Sequence, residues 1–318
     1  MKDTFGRKID YLRISVTDRC NYRCVYCMPE EGVEKREHDE ILSLEEIEEI
    51  AAAAVSLGVR KVRVTGGEPL VRRGVVELCR RLRAMEGVED LAVTTNGALL
   101  PAMAQELKAA GVNRINISLD TLRPERFAAI TRCGRLEDCL AGLRAALGCG
   151  MSPIKINTVL IGGFNDDEIE DLAELTVRYP VDVRFIELMP IGHTVPFGPE
   201  AYLPVTVVKE RLGDALEPAG TDGGVAKLYR LKGAKGRIGL ITPLSCEFCG
   251  SCNRLRLTAD GHLKPCLHSA EEIPVRGLHG AALRQAILDA AAAKPASHGA
   301  LSAECRSRSA RDMNRIGG

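Results

Sequence analysis

At 318 residues the chain can bury a sizeable core, in one large or two modest domains. Lysine plus arginine (43) balances aspartate plus glutamate (43), and aromatics are 4% with no tryptophan, which excludes a global positive field for nucleic acid or membranes and argues against stacking platforms for single strands. The start is polar, no apolar run approaches membrane-spanning length, and twelve cysteines in a chain of this size without an export signal read as metal ligands rather than disulfides, so a cytoplasmic protein is expected.

From Asp10 to Leu188 short β-branched runs alternate with helical stretches. Strands are predicted at Tyr11 to Thr17, Val59 to Thr65, Leu91 to Thr95, Val112 to Leu119, Ile154 to Ile161 and Val181 to Leu188. Helices are predicted between them near Leu44 to Leu57, Val75 to Met85, Ala102 to Ala110, Leu136 to Leu147 and Asp167 to Arg178. Ser43 with Glu46 forms a capping box, Gly58 follows the last turn of that helix, and Pro101 and Gly111 bracket another. About six βα units with mostly short links predict an α/β fold with a parallel sheet, an incomplete (partial) TIM barrel spanning residues 1–190. Its chemistry would gather beyond the carboxyl ends of the strands. Residues 191–318 form a C-terminal extension with a helix near Val205 to Leu216, strands at Lys227 to Leu231 and Arg237 to Ile241, a hairpin from Leu255 to Lys264, a helix near Ala281 to Ala293 and a polar tail ending Gly317-Gly318.

Cys20, Cys24 and Cys27, spaced C-x3-C-x2-C, fall in the loop after the first strand. Three thiolates can hold three irons of a cubic cluster and leave the fourth open to a small molecule, whereas structural zinc and electron-carrying clusters normally take four ligands. Three buried or zinc-bound thiols are the plainer alternative. Gly66-Gly67-Glu68-Pro69 ends the second strand, where glycines let backbone approach a ligand and proline fixes the exit. A second set, Cys246-x2-Cys249-x2-Cys252-x13-Cys266, could close a cluster or a zinc site, and its spacing does not choose between them. His262 and His268 flank Cys266. Arg13, Arg63, Lys155 and Arg184 lie in strands predicted to be buried, where an unpaired charge is costly, and this points to an anionic ligand. No G-x4-G-K-[ST] phosphate loop occurs, so a bound nucleotide would be a substrate and not a fuel.

The cysteine loop followed by Gly66-Gly67-Glu68-Pro69 resembles the radical S-adenosylmethionine superfamily. Leu12-Arg13-Ile14-Ser15-Val16-Thr17-Asp18-Arg19-Cys20, Val62-Arg63-Val64-Thr65, Thr94-Thr95-Asn96-Gly97, Lys155-Ile156-Asn157-Thr158-Val159, Arg184-Phe185-Ile186-Glu187, Cys249-x2-Cys252-Asn253-Arg254-Leu255-Arg256-Leu257 with Cys266, and the terminal Gly317-Gly318 resemble its GTP 3',8-cyclase family, which serves molybdenum cofactor biosynthesis. The resemblance implies two 4Fe-4S clusters, one on Cys20, Cys24 and Cys27 and one on Cys249, Cys252 and Cys266. It implies S-adenosylmethionine at Tyr26, Gly67, Ser118 and Met189, and GTP at Arg13, Arg63, Thr94, Lys155 and Arg254-Leu255-Arg256, with Arg184 added on charge. Arg13, Arg254, Arg256, Gly317 and Gly318 would serve catalysis, the two glycines by entering the active site.

The implied reaction uses a 5'-deoxyadenosyl radical to take hydrogen from C3' of GTP; C3' then bonds to C8 and reduction gives (8S)-3',8-cyclo-7,8-dihydroguanosine 5'-triphosphate. The resemblance also implies an external electron donor, a homodimer and a downstream cyclic pyranopterin monophosphate synthase that takes the product. The alternatives are another enzyme of the superfamily with an auxiliary cluster, acting on peptide or RNA, and a zinc-stabilised scaffold; neither extra C-terminal cysteines nor a basic module is visible in support of the first. Cys246 stands where the family uses no ligand and is read as a bystander. Accordingly, Cys246→Ala is expected to keep the second cluster's iron and Cys249→Ala to lose it, measured as iron and sulfide content after anaerobic reconstitution.

Overall fold

The alternation of runs produces a repeating strand and helix pattern in the computed structural model, which describes all residues except 34–37, 193–196, 222–224, 246–247, 303 and 318. In chain order the first part comprises β1 (Tyr11–Ser15), α1 (Leu44–Ser56), β2 (Lys61–Thr65), α2 (Val75–Ala84), β3 (Asp90–Thr95), α3 (Leu100–Ala109), β4 (Arg114–Ser118), α4 (Pro124–Thr131), α5 (Leu136–Gly148), β5 (Ile154–Leu160), α6 (Ile169–Arg178) and β6 (Val181–Glu187). There follow α7 (Thr206–Leu212), β7 (Leu216–Thr221), β8 (Lys227–Leu231), β9 (Ile238–Ile241), β10 (Arg254–Leu257), β11 (His262–Lys264), β12 (Ile273–Pro274), α8 (Gly280–Ala292) and α9 (Met313–Ile316).

All twelve strands belong to one open sheet, ordered β12-β11-β10-β1-β2-β3-β4-β5-β6-β9-β8-β7. The six βα strands pair in parallel. Two strands from the second half lengthen the parallel array, β10 beside β1 and β9 beside β6, and antiparallel strands finish both edges. The partial barrel is thus made by both halves of the chain.

Strand alternation sorts the residues. Leu12, Ile14, Val62, Val64, Leu91, Val93, Ile115, Ile117, Val183 and Phe185 are buried in the core beneath the helices, while Arg13, Arg63, Lys155 and Arg184, one position out of phase, line a cavity on the opposite face. The capping box is present: the Ser43 hydroxyl accepts from the Glu46 amide at 3.1 Å, and the Glu46 carboxylate accepts from the Ser43 amide at 2.7 Å.

Strands β7 and β12 were not expected from the sequence, and three helices differ from the expectation. The helix expected to run to Leu216 stops at Leu212, because Gly213 takes φ +50° and the chain then enters β7. Helix α4 was not expected; Pro124 starts it, but it is only eight residues long and ends at Arg132 with φ +63°. Helix α9 lies in the polar tail, where a four-residue turn carries no periodic signal. No helix among the described residues is long and apolar enough to cross a membrane.

Phe185 is fully buried in β6 against the helical layer. Phe185→Ala is expected to cost about 3 to 5 kcal/mol of folding stability, read from the midpoint of urea denaturation.

Candidate active site

The loop carrying Cys20, Cys24 and Cys27 is fastened from two sides. On the β2 side the Gly67 amide donates to the Thr17 carbonyl and the Glu68 amide to the Arg19 carbonyl, both at 2.8 Å. A Cβ on Gly67 would stand 2.5 Å from the Arg19 carbonyl oxygen. The close approach this glycine permits is therefore first to the chain's own cysteine loop, a packing need that the motif alone did not reveal. On the other side the amides of Arg23 and Val25 donate to the carbonyls of Thr131 and Ile130 at the end of α4. Arg23 donates to the carbonyls of Cys20 (2.6 Å) and Tyr22 (2.9 Å), and Arg132 to those of Arg23 (2.9 Å) and Met28 (3.1 Å). The Glu68 carboxylate, pushed up to about 7 by burial, ties this region to the next strand by accepting from the Leu70 amide, the Thr95 hydroxyl and the Asn96 amide.

The three thiols are half-buried, free of disulfides and open to one cavity. Burial pushes Cys20 up to about 12 and raises Cys24 and Cys27, and the thiols act on one another: Cys27 and Cys20 both raise Cys24, and Cys20 raises Cys27. Mutual opposition of this kind is relieved when a cationic centre takes all three as thiolates. Among the described residues no group of three His, Cys, Asp or Glu could hold a single metal ion. A cubane takes one thiolate per iron, so its ligands need not converge on one point, and three neighbouring free thiols suit that donor set. Cys133, which carries no sequence motif, sits beside this loop with its sulfur 3.3 Å from the Asn21 carbonyl.

The cavity, of about 390 Å³, runs from these thiols at the carboxyl ends of the strands to Phe248, Asn253 and Arg254 at the amino end of β10. Tyr26, Gly67, Ser118, Met189, Arg13, Arg63, Thr94, Lys155, Arg184, Arg254 and Arg256 all line it, Ser118 and Arg184 being level with Asn157 in the strand register. The Tyr26 hydroxyl donates to Asp120 at 2.6 Å, and burial raises that carboxyl to about 6. Parallel register sets Arg13 between Arg63 and Arg256 in one row. Burial, then the charges of Arg256 and Arg63, lower Arg13 well below the ordinary arginine value; burial brings Arg63 and Arg256 down to about 10. At strand spacing two such charges repel by on the order of 3 kcal/mol if the effective dielectric is about 20. Leu255 lies between Arg254 and Arg256 but turns its side chain into the core, leaving its backbone as the part nearest the cavity.

Sequence reasoning missed Tyr11, Lys61, Arg114 and Asn157, which also line the cavity. Tyr11 and Lys61 stand two positions before Arg13 and Arg63, so strand alternation carried the signal for both. The acids in the lining are engaged: Asp90 pairs with Arg114 at 2.8 Å, Asp120 accepts from Tyr26 and the Val159 amide, and Glu187 accepts from the amides of Val205, Leu244 and Ser245.

Cys249 and Cys252 precede β10 and Cys266 follows the antiparallel β11, so this set lies at the opposite end of the barrel from Cys20, Cys24 and Cys27. The Lys294 ammonium donates to the Cys252 sulfur at 3.6 Å and to the carbonyls of Arg254 and Pro265 at 2.8 Å, and its charge also reaches Cys266. Burial would raise Cys252, but Lys294, Arg254 and Arg256 together bring it below the ordinary thiol value. Cys246 lies outside the described residues. His262 faces Asp260 at 3.4 Å, and His268 lies against His298 with the ring planes tilted by 59° and meets the Ser307 hydroxyl at 3.1 Å.

The tail threads inward. Arg311 bridges Asp260 and Glu272, the Asn314 amide donates to the Asp18 carbonyl at 3.0 Å, and Ile316 is buried. The Gly317 carbonyl accepts from Arg256 at 2.8 Å. With φ +76°, and a Cβ that would fall 2.5 Å from the Thr65 hydroxyl, this position requires glycine. Gly318 lies outside the described residues.

A family model described as Radical SAM superfamily matches residues 14–176, and one described as Molybdenum Cofactor Synthesis C matches residues 181–300. The chain is similar to curated proteins named GTP 3',8-cyclase: 47% identical over 321 residues to that of Alkaliphilus oremlandii and 51% over 330 residues to that of Pelotomaculum thermopropionicum, each covering 100% of both chains. With the protein of the same name from Peptoclostridium acidaminophilum it is 52% identical over 321 residues, covering 99% of this chain and 98% of that protein. Among solved structures, Streptococcus suis SuiB bound to S-adenosylmethionine shares the fold at TM-score 0.64 and 16% identity, over 89% of this chain and 65% of that one. The chain therefore belongs to the GTP 3',8-cyclase family of the radical S-adenosylmethionine superfamily.

Proposed function

We propose that the protein converts GTP to (8S)-3',8-cyclo-7,8-dihydroguanosine 5'-triphosphate, the first step of molybdenum cofactor biosynthesis. The observation that carries this reading is a single cavity that joins the three-thiol loop to the row of Arg256, Arg13 and Arg63. Cys20, Cys24 and Cys27 would hold one 4Fe-4S cluster. Cys249, Cys252 and Cys266 would hold a second, again one ligand short of closure. When bound, the first cluster and S-adenosylmethionine supply the 5'-deoxyadenosyl radical that takes hydrogen from C3' of GTP.

The chain's own residues do the rest. Guanidinium forks grip phosphate bidentately, and the repulsion among Arg13, Arg63 and Arg256 makes a polyanion the natural occupant of their row. Tyr26, Gly67, Ser118 and Met189 would contact S-adenosylmethionine, and Arg13, Arg63, Thr94, Lys155, Arg184, Arg254, Arg256 and the Leu255 backbone would contact GTP; that all of these residues but Leu255 line one cavity supports the reading. Held between the two ends, the ribose would present C3' toward the thiol side, and the barrel wall would exclude water from the radical. The Gly317 carbonyl on Arg256 would orient that guanidinium beside the nucleotide, with Gly318 following it.

The functional halves are read as a core of residues 1–190 and a nucleotide-end region of residues 191–318. A cytoplasmic homodimer, an external electron donor and a cyclic pyranopterin monophosphate synthase that consumes the product complete the proposal.

Anaerobic reconstitution should give about eight irons per chain. Incubation with reductant, GTP and S-adenosylmethionine should yield 5'-deoxyadenosine and a cyclised nucleotide by mass spectrometry; 5'-deoxyadenosine without a GTP-derived product would reject the reading. Deleting Gly317 and Gly318 is expected to abolish turnover while the iron content stays at the wild-type level, and unchanged turnover would exclude a role for the tail.

A further inference from the structure

Tyr11 takes no part in the reading above, yet its surroundings call for a ligand. It opens β1 on the cavity face, in register with Lys61 of β2 on one side and Arg254 of β10 on the other. The Arg63 guanidinium lies over its ring, 5.5 Å from the centroid. The residue is 8% exposed, and among the described residues its buried hydroxyl has no hydrogen-bond partner. A buried polar group in that condition is costly unless something else satisfies it.

The neighbours narrow the choice of partner. Arginine and lysine are donors only, so Lys61, Arg63 and Arg254 offer the phenol no acceptor. The acids that line the cavity are committed to Arg114, to Tyr26 and to backbone amides. Burial would raise the Tyr11 phenol, but Arg63, Arg13, Arg114 and Arg254 together bring it below the ordinary value. Tyr22, whose buried hydroxyl also has no partner among the described residues, is raised by burial and then by Cys139 and Asp138, so its surroundings have the opposite sign. Among the described residues the Tyr11 hydroxyl thus meets no acceptor, and cations stand beside it.

Resting on GTP as the substrate, we propose that Tyr11 binds and positions the triphosphate: its hydroxyl donates to a phosphate oxygen gathered by Lys61 and Arg63, while its ring holds the Arg63 guanidinium in place. A phosphate oxygen is a pure acceptor with the charge this row favours. The aromatic face supports Arg63 by a cation–π contact that needs no hydroxyl.

Tyr11→Phe keeps the ring and removes only the donor. Dissociation constants for GTP and for guanosine are measured on wild-type and variant holoprotein, without S-adenosylmethionine. GTP binding is expected to weaken about tenfold and guanosine binding to stay the same, as for a lost hydrogen bond to a charged group. The ratio of the two constants on one preparation cancels any loss of folded protein. Unchanged GTP affinity, or equal weakening for both ligands, overturns the assignment. Wild-type protein that binds guanosine but gains nothing from the triphosphate also overturns it, and wild-type protein that binds neither removes the functional reading with it.

Discussion

Guanidinium groups placed side by side inside a protein are the constraint on which the site depends. Arg63, Arg13 and Arg256 stand on three adjacent parallel strands in one register row, and each lies below the ordinary arginine value because burial is compounded by like-charged neighbours. Among the described residues neither Arg63 nor Arg256 meets a carboxylate; Arg63 lies over Tyr11, and Arg256 donates to the Gly317 carbonyl. A fold optimised only for stability would not gather such charges, since removing them from water costs more than their contacts return. An anion of several charges reverses that balance. The opposite face of the same strands carries the branched aliphatic core, so the expensive row is held in place by ordinary hydrophobic packing.

Two sets of three cysteines occupy opposite ends of this interior, and their electrostatics differ. At the carboxyl ends of the strands, burial and mutual repulsion raise Cys20, Cys24 and Cys27 above the ordinary thiol value. At the amino end of β10, Lys294 and the arginines already favour the thiolate of Cys252. The C-terminal half makes this possible by adding β10 next to β1 and β9 next to β6. The tail then returns across the barrel, fastened by the Arg311 bridge to Asp260 and Glu272, and delivers Gly317 to Arg256.

Much of this was legible in the residues. The βα alternation, the capping box at Ser43, both cysteine sets and the glycine pair at Gly66-Gly67 are local signals, and arginines inside β-branched runs announced an inward charged face. Tyr11, Lys61 and Arg114 went unnoticed because a single polar residue in a strand resembles a solvated one until its neighbours are known. Helix α4 was missed although it anchors the cysteine loop through Ile130 and Thr131, for eight residues give periodicity little to act on.

The sequence by itself determined the six βα strands and the longer helices between them, which cysteines are available and which strand faces are apolar, because those properties rest on periods of two and 3.6 residues and on short motifs. Only the tertiary structure decided that Gly67 makes room for the cysteine loop, that Leu255 belongs to the core between two cavity-facing arginines, and that Gly317 ends against Arg256. These are contacts between segments tens to hundreds of residues apart. Strand register, sheet order and the path of the tail fix them, and each depends on the packing of the whole chain.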